Sequence, residues 1–119
     1  MVKVITVKGQ VSRRQKFDQY TEGEKQLLNN DKQMLANNKL TFSRHSIKRA
    51  ADRYLFRVVN HVNDYVKNSQ IVATELYYAK DWTVKDTRFL LRCEYGKHYV
   101  YIAVSSARRQ VITLWQARK

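Results

Sequence analysis

Three side chains that carry or can acquire positive charge recur at four-residue intervals in the stretch TFSRHSIKRAADR, residues 41–53. On a helix this spacing places His45, Arg49 and Arg53 on one face. Like charges at such spacing repel each other, so the face is either solvated or in contact with something negative.

A second group of side chains with binding chemistry follows from the tight Gly-Lys turn in TRFLLRCEYGKHYVYIAV. If Gly96 and Lys97 are the two loop residues, Tyr95 lies opposite His98. One sheet face then receives the apolar pairs Cys93–Val100, Leu91–Ile102 and Phe89–Val104, and a one-residue slip would mix this set with polar residues. The other face receives Arg88, Arg92, Tyr99 and Tyr101. The last strand would add Ile112 and Leu114 to the apolar face and Val111, Thr113 and Trp115 to the other.

The arginines and rings on this second face have a chemistry in common with nucleic-acid binders. Arginine clamps phosphate through two parallel hydrogen bonds. Aromatic rings stack on bases, each worth ~1–3 kcal/mol. A basic sheet face with interleaved aromatics is a frequent solution for single-stranded RNA. The alternative is an ordinary solvated face, or one covered by the N-terminal segment.

Helix signals come before most of the strand signals along the chain. VKVITVKGQ predicts a short edge strand that ends at Gly9, and the capping box of Thr21 and Glu24 predicts a helix over 22–37 with Leu27, Leu28, Met34 and Leu35 on one side. Ser43 as N-cap predicts a helix over 44–54 that buries Ile47, Ala50, Ala51 and Tyr54. A valine-rich amphipathic helix follows to residue 67.

After residue 70 the period changes to two, and four strands with short connections follow. We therefore predict an α+β fold, with N-terminal helices packed on one face of an antiparallel sheet of about four strands. Residues 1–40 are predicted to be an N-terminal extension, with a short strand and a helix. Residues 41–119 are predicted to form the α+β domain, and the two to form one compact unit.

Composition bounds the class of partner. The 119 residues carry 23 lysines and arginines against 10 acidic residues, a net charge of +13. Charge spread through a folded domain favours a polyanion through counterion release. The single Cys93 and three dispersed histidines indicate neither a disulfide framework nor a metal site, so no cofactor is expected. Without a signal peptide or long apolar run, the expected location is the cytoplasm, with no membrane partner.

The order of these motifs resembles a small family of bacterial and phage domains related to RelE/ParE-type toxins and the barnase–EndoU-like ribonucleases. The resemblance covers residues 41–116 and rests on H-x3-R-x3-R, the valine-rich helix, the segment RFLLR with Arg88 and Arg92, the hairpin and the closing V-I-T with an aromatic. The sequence departs from it where KNSQ stands in place of a glycine and where Trp115 replaces a tyrosine. The resemblance implies a RelE-like domain over 41–119.

The same resemblance implies metal-independent RNA cleavage. His45 would act as acid or base, with Arg49 or Arg53 favouring its neutral form. Arg88 and Arg92 would hold the phosphate, which makes His45, Arg49 and Arg92 the candidate catalytic set. Tyr99, Tyr101 and Trp115 would stack bases, and Thr113 would donate a hydrogen bond.

Two other readings of the chain stay open beside a toxin-like ribonuclease. One is a non-catalytic phage or mobile-element protein that binds nucleic acid or a nucleoprotein complex and inhibits it. The other is a module for an acidic protein partner, such as an antitoxin or host factor. A homodimer is compatible with all three, since an edge strand and an aromatic sheet face can both pair with a second copy.

Overall fold

The computed structural model describes residues 3–7 and 10–119, and side chains from Arg13 onward. The predicted end of the first strand at Gly9 lies outside the described residues. Seven strands are formed by the described residues: β1 Lys3–Val7, β2 Gln10–Lys16, β3 Thr41–Phe42, β4 Gln70–Tyr78, β5 Val84–Tyr95, β6 His98–Ser105 and β7 Gln110–Arg118. The helices are α1 Glu22–Ala36, α2 Arg44–Asp52, α3 Phe56–Asn60 and α4 Val62–Lys67, with a 3-10 turn at Phe17–Gln19.

The strands form one sheet in the order β1-β2-β4-β5-β6-β7-β3, antiparallel except where β3 runs parallel to β7. The prediction of about four strands was therefore wrong, although the fold is α+β. The basic segment QVSRRQK gives no apolar alternation, yet it pairs along β4 as β2 and joins β1 to the sheet. Backbone pairing to a neighbouring strand forms such a strand without an apolar face of its own.

The hairpin register is confirmed. Tyr95 pairs with His98 across a turn in which Gly96 adopts φ +60°, and the apolar pairs predicted for β5 and β6 occur as expected. The fully buried side chains of these strands, Phe89, Leu91, Val100, Ile102 and Val104, form the centre of the core. Strict alternation along paired strands explains why a single turn was enough to predict the whole hairpin.

The helices cover only this apolar face of the sheet, and they differ from prediction in what they bury. The predicted caps are present, because Thr21 and Glu24 form the capping box of α1 and Ser43 accepts a hydrogen bond from the Ser46 amide of α2. However, α2 buries Ser46 and Ala50, whereas Ile47, Ala51 and Tyr54 are exposed. Leu27 and Met34 of α1 are exposed too.

The valine-rich segment is not one helix as predicted. It divides into α3 and α4 at His61, whose φ of −129° is outside the helical range. Val58, Val62 and Val66 all reach the core although they lie on two short helices. No helix among the described residues has the length and apolarity needed to cross a membrane.

Candidate nucleic-acid interface on the open sheet face

The sheet face opposite the helices is called here the open face. In the part of the chain that the structure describes, no helix packs on it, and α2 and α4 contact the sheet from the other side. Alternation along β5, β6 and β7 brings six of the predicted residues to this face: Arg88, Arg92, Tyr99, Tyr101, Thr113 and Trp115.

Side chains of the open face form rows that run across the strands. The central row consists of small or apolar side chains in direct register, namely Ala73, Leu90, Ala103 and Thr113. It is the floor of a depression of about 390 Å³, called here the trough, whose walls include Arg14, Glu75, Arg88 and Trp115. Strand spacing makes the floor about 14 Å long from β4 to β7.

Trp115 forms an aromatic wall of the trough, and two tyrosines lie behind it. Tyr101 and Trp115 face each other across β6 and β7, with ring centroids 5.5 Å apart and planes inclined by only 14°. Tyr99 meets the edge of Tyr101 at 6.4 Å. Both Tyr101 and Trp115 are partly exposed, so this pair offers flat ring surface to a third planar group.

The other wall is charged. Arg14 donates two hydrogen bonds to Oε2 of Glu75, at 3.0 and 2.7 Å, and the Tyr77 hydroxyl donates to Oε1 of the same carboxylate. Burial, and then the bond to Glu75, raises the pKa of Tyr77 to about 12. The guanidinium of Arg88 lies 4.5 Å from the centre of the Tyr77 ring. The Glu75 charge is thus balanced by Arg14, while Arg88 is fixed in place by a ring.

Arg92 lies on the aromatic side of the trough. Its Nη2 donates to Oε1 of Gln70 at 2.6 Å, and its guanidinium is 4.7 Å from the centre of the Tyr99 ring. Among the described side chains no carboxylate pairs with it at salt-bridge distance. Its charge is therefore held in position by neutral groups and remains free to attract an anion.

A β-bulge in β7 shapes one end of the trough. The register shifts between Ala103 and Val104 of β6, so β7 has an extra residue at Ile112. As a result Val111 is fully buried in the core and Ile112 lines the trough, the reverse of the prediction for these two residues. Thr113 and Trp115 keep the predicted face because they follow the bulge.

The first predicted cluster lies elsewhere. His45 and Arg49 are exposed on α2, which packs against the apolar face of the sheet, whereas Arg92 projects from the open face. The structure therefore does not bring His45, Arg49 and Arg92 together around one phosphate. Arg53 has a structural contact, because its Nη1 donates to the Leu114 carbonyl at 2.7 Å.

Several residues of the trough were missed from the sequence. Glu75 lies on β4 and pairs directly with Arg88 on β5. Arg14 lies on β2, and the unpredicted pairing of β2 with β4 puts it beside Glu75. The alternation of Ala73, Glu75 and Tyr77 in QIVATELYY was the signal that these three share a face.

Among the described side chains no three histidine, cysteine or acidic residues are grouped closely enough to hold an ion. No family model, curated protein or solved structure matches the chain. The assignment of a function therefore depends on the geometry and charge of the open face.

Proposed function

We propose that the protein binds single-stranded RNA in the trough of the open face. The observation that carries the proposal is the alignment of the Tyr101–Trp115 stack with Arg92 on one side of an apolar floor, and of Arg88 on the other side. Bases would stack on the rings and lie over the floor, while the backbone phosphates would meet the guanidinium groups.

The dimensions of the trough favour a single strand. Arg88 and Arg92 are four residues apart on β5, which separates their Cα atoms by about 13 Å. The space between them is lined by small side chains, so a splayed base can reach the floor. In a duplex the bases are stacked on each other and are not available to Trp115.

The positive charge of the protein favours an anionic ligand. The net charge of the chain is +13. On the open face the carboxylates are already engaged, since Glu75 is bonded to Arg14 and Glu94 is paired with Lys119. Arg92 contacts only neutral groups among the described side chains. A polyanion would therefore meet positive charge beside the aromatic wall that no carboxylate neutralises.

The proposal is for binding and includes no cleavage step. The expected chemistry depended on His45 and Arg92 acting on the same phosphate, and these side chains lie on opposite sides of the sheet. An acidic protein is the competing ligand for this face. It would bind with a weaker dependence on salt, because it does not release a condensed counterion layer.

Tryptophan fluorescence tests the proposal directly. The chain has two tryptophans, and Trp82, which is 66% exposed at the tip between β4 and β5, can be replaced by phenylalanine. In the Trp82→Phe protein all tryptophan emission comes from Trp115. We expect single-stranded RNA to quench it strongly, and duplex RNA of the same sequence to quench it little.

Two matched variants complete the experiment. Tyr101→Leu removes the ring that stacks on Trp115 and should weaken RNA binding, whereas Tyr54→Leu removes an exposed ring from the end of α2 and should not. Unchanged Trp115 emission at saturating RNA, or equal binding by single strands and duplex, would contradict the proposal that single-stranded RNA binds in the trough.

A further inference from the structure

A smaller concavity of about 200 Å³ lies beyond the charged wall of the trough, at the beginning of β5. Its lining includes three cationic side chains, Lys85, Arg88 and Arg108, together with Asp86 and Tyr77. Arg88 belongs to both concavities, so its guanidinium separates the trough from this second space. The three cations are called here the phosphate seat.

A second β-bulge contributes Lys85 to this concavity. Tyr77 pairs with Asp86 and Tyr78 pairs with Val84, so Lys85 is the extra residue on β5. In regular alternation Lys85 would point away from Asp86 and Arg88. A bulge redirects the side chain at that position, and bulges of this kind are enriched beside functional sites. Here the redirected lysine lines the same space as both neighbours.

Asp86 orders the seat and neutralises one of its three positive charges, since its Oδ2 lies 3.5 Å from Nε of Arg88. Its Oδ2 accepts a hydrogen bond from the Ser105 hydroxyl at 2.7 Å, and its Oδ1 accepts one from the Ala107 amide at 3.0 Å. The Ser105 oxygen also accepts from the Arg108 amide at 3.2 Å. These bonds fix the turn between β6 and β7 that carries Arg108, and they occupy both carboxylate oxygens.

Arg88 has capacity left for a ligand. Its Nε atom is buried and has no hydrogen-bond partner among the described residues, and the closest carboxylate oxygen, on Asp86, is 3.5 Å away. A buried guanidinium N–H without a partner is unfavourable. An oxygen-rich anion in the concavity would offer acceptors to the guanidinium, which is already positioned on the Tyr77 ring.

We propose that the phosphate seat binds the terminal phosphate monoester of a strand whose bases occupy the trough. Three cations and one carboxylate leave two positive charges. A terminal monoester carries a charge of about −1.5 to −2 near neutral pH, whereas an internal diester carries about −1. The seat therefore matches an end of the chain better than its interior. This inference rests on the proposed binding of RNA.

Oligonucleotides that differ only in their terminal groups test whether the phosphate seat binds a terminal phosphate. One short RNA sequence is prepared with a 5′-phosphate, with a 3′-phosphate, or with hydroxyls at both ends, and binding is followed by fluorescence anisotropy. We expect one phosphorylated form to bind about tenfold more tightly than the hydroxyl form, as for the gain of a charge-assisted hydrogen bond. Which end is preferred gives the direction of the strand.

A pair of variants distinguishes binding at the phosphate seat from attraction by the net positive charge of the protein. In the Lys85→Ala/Arg108→Ala protein all three RNAs should bind with the affinity of the hydroxyl form. Lys67→Ala, which removes an exposed charge from α4 on the helical side, should retain the preference. Equal binding of all three RNAs by the wild type, or a preference that survives in the double variant, would overturn the seat and leave the trough intact.

A readout without RNA keeps the two proposals distinguishable. Inorganic phosphate is titrated into the protein while the amide signals of Ala107 and Arg108 are followed by NMR. We expect both signals to shift in the wild type and not in the double variant. If no RNA binds, the proposed function fails, and this titration alone decides the seat. Signals that stay fixed throughout the titration contradict it.

Discussion

Replacement of Arg92 by alanine is the perturbation whose effect on RNA binding follows most directly from the geometry. The Arg92 guanidinium is held by Gln70 at 2.6 Å and by the ring of Tyr99 at 4.7 Å. Neither partner is charged, so the substitution removes one positive charge and leaves no buried carboxylate unpaired. Its effect on folding should be small, and its effect on an anionic ligand should be electrostatic.

The size of the effect follows from counterion release. For single strands, each phosphate that a protein neutralises contributes about −0.7 to the slope of log K against log salt concentration. If Arg92 neutralises one phosphate, the variant should lose about 0.7 from the magnitude of the slope. The ratio of wild-type to variant affinity should then shrink about fivefold when salt is raised tenfold.

The assay is a titration of labelled single-stranded RNA by fluorescence anisotropy, repeated at several salt concentrations. Arg57→Ala is the matched control, since it removes an exposed arginine from α3 on the helical side, and its slope should equal that of the wild type. An unchanged slope for Arg92→Ala, or an equal change of slope for Arg57→Ala, would contradict a phosphate contact by Arg92. In the second case the net charge, and not the open face, would attract the RNA.

Three further predictions concern other parts of the molecule. Trp115→Ala should lower RNA affinity by about 1–3 kcal/mol at every salt concentration, with an unchanged slope, because stacking releases no counterions; the same titration measures it. Arg53→Ala should lower the free energy of unfolding in urea by about 1.5–3 kcal/mol, since it removes the charged donor to the Leu114 carbonyl, while Arg49→Ala should change it by less than about 0.5 kcal/mol. Burial raises the pKa of the Cys93 thiol from 9.0 to about 12. The protonated thiol therefore stabilises the folded state fully below pH 9, and this stabilisation is lost as pH rises toward 12. Unfolding free energy should therefore fall by about 1.4 kcal/mol between pH 8 and 10, and Cys93→Ala should lack this decrease.

The parts of the fold that could be predicted were those fixed by local rules. Gly96 in the turn determined the β5–β6 register, and alternation then assigned every side chain of the hairpin to a face. Thr21 with Glu24, and Ser43, identified the starts of two helices because caps satisfy amides that the helix itself leaves free. Residues of the open face on β5 and β6 followed without further information.

The features that were predicted wrongly or missed have physical causes, and these involve residues distant in sequence. β2 lacks an apolar pattern and exists because β4 offers it a free edge. Tyr54 and Ile47 looked like core residues on a helical spacing, but α2 turns Ser46 and Ala50 to the sheet. In that orientation Ser43 and Arg53 donate to the Ile112 and Leu114 carbonyls, which β3 is too short to pair. These hydrogen bonds to the free carbonyls of β7 favour the observed rotation of α2 about its axis.

The bulges explain why the open face has depth although a pleated sheet face alternates regularly. Register shifts place one extra residue in β7 at Ile112 and one in β5 at Lys85, and each extra residue lines a concavity. The apolar pairs of β5 and β6 stay in register between the two bulges. Bulges bend and twist a sheet locally, which raises the walls around the small side chains of Ala73 and Ala103. In the proposed complex with RNA, this curvature would let a planar base reach the floor, and it places Lys85 in the same concavity as Arg88.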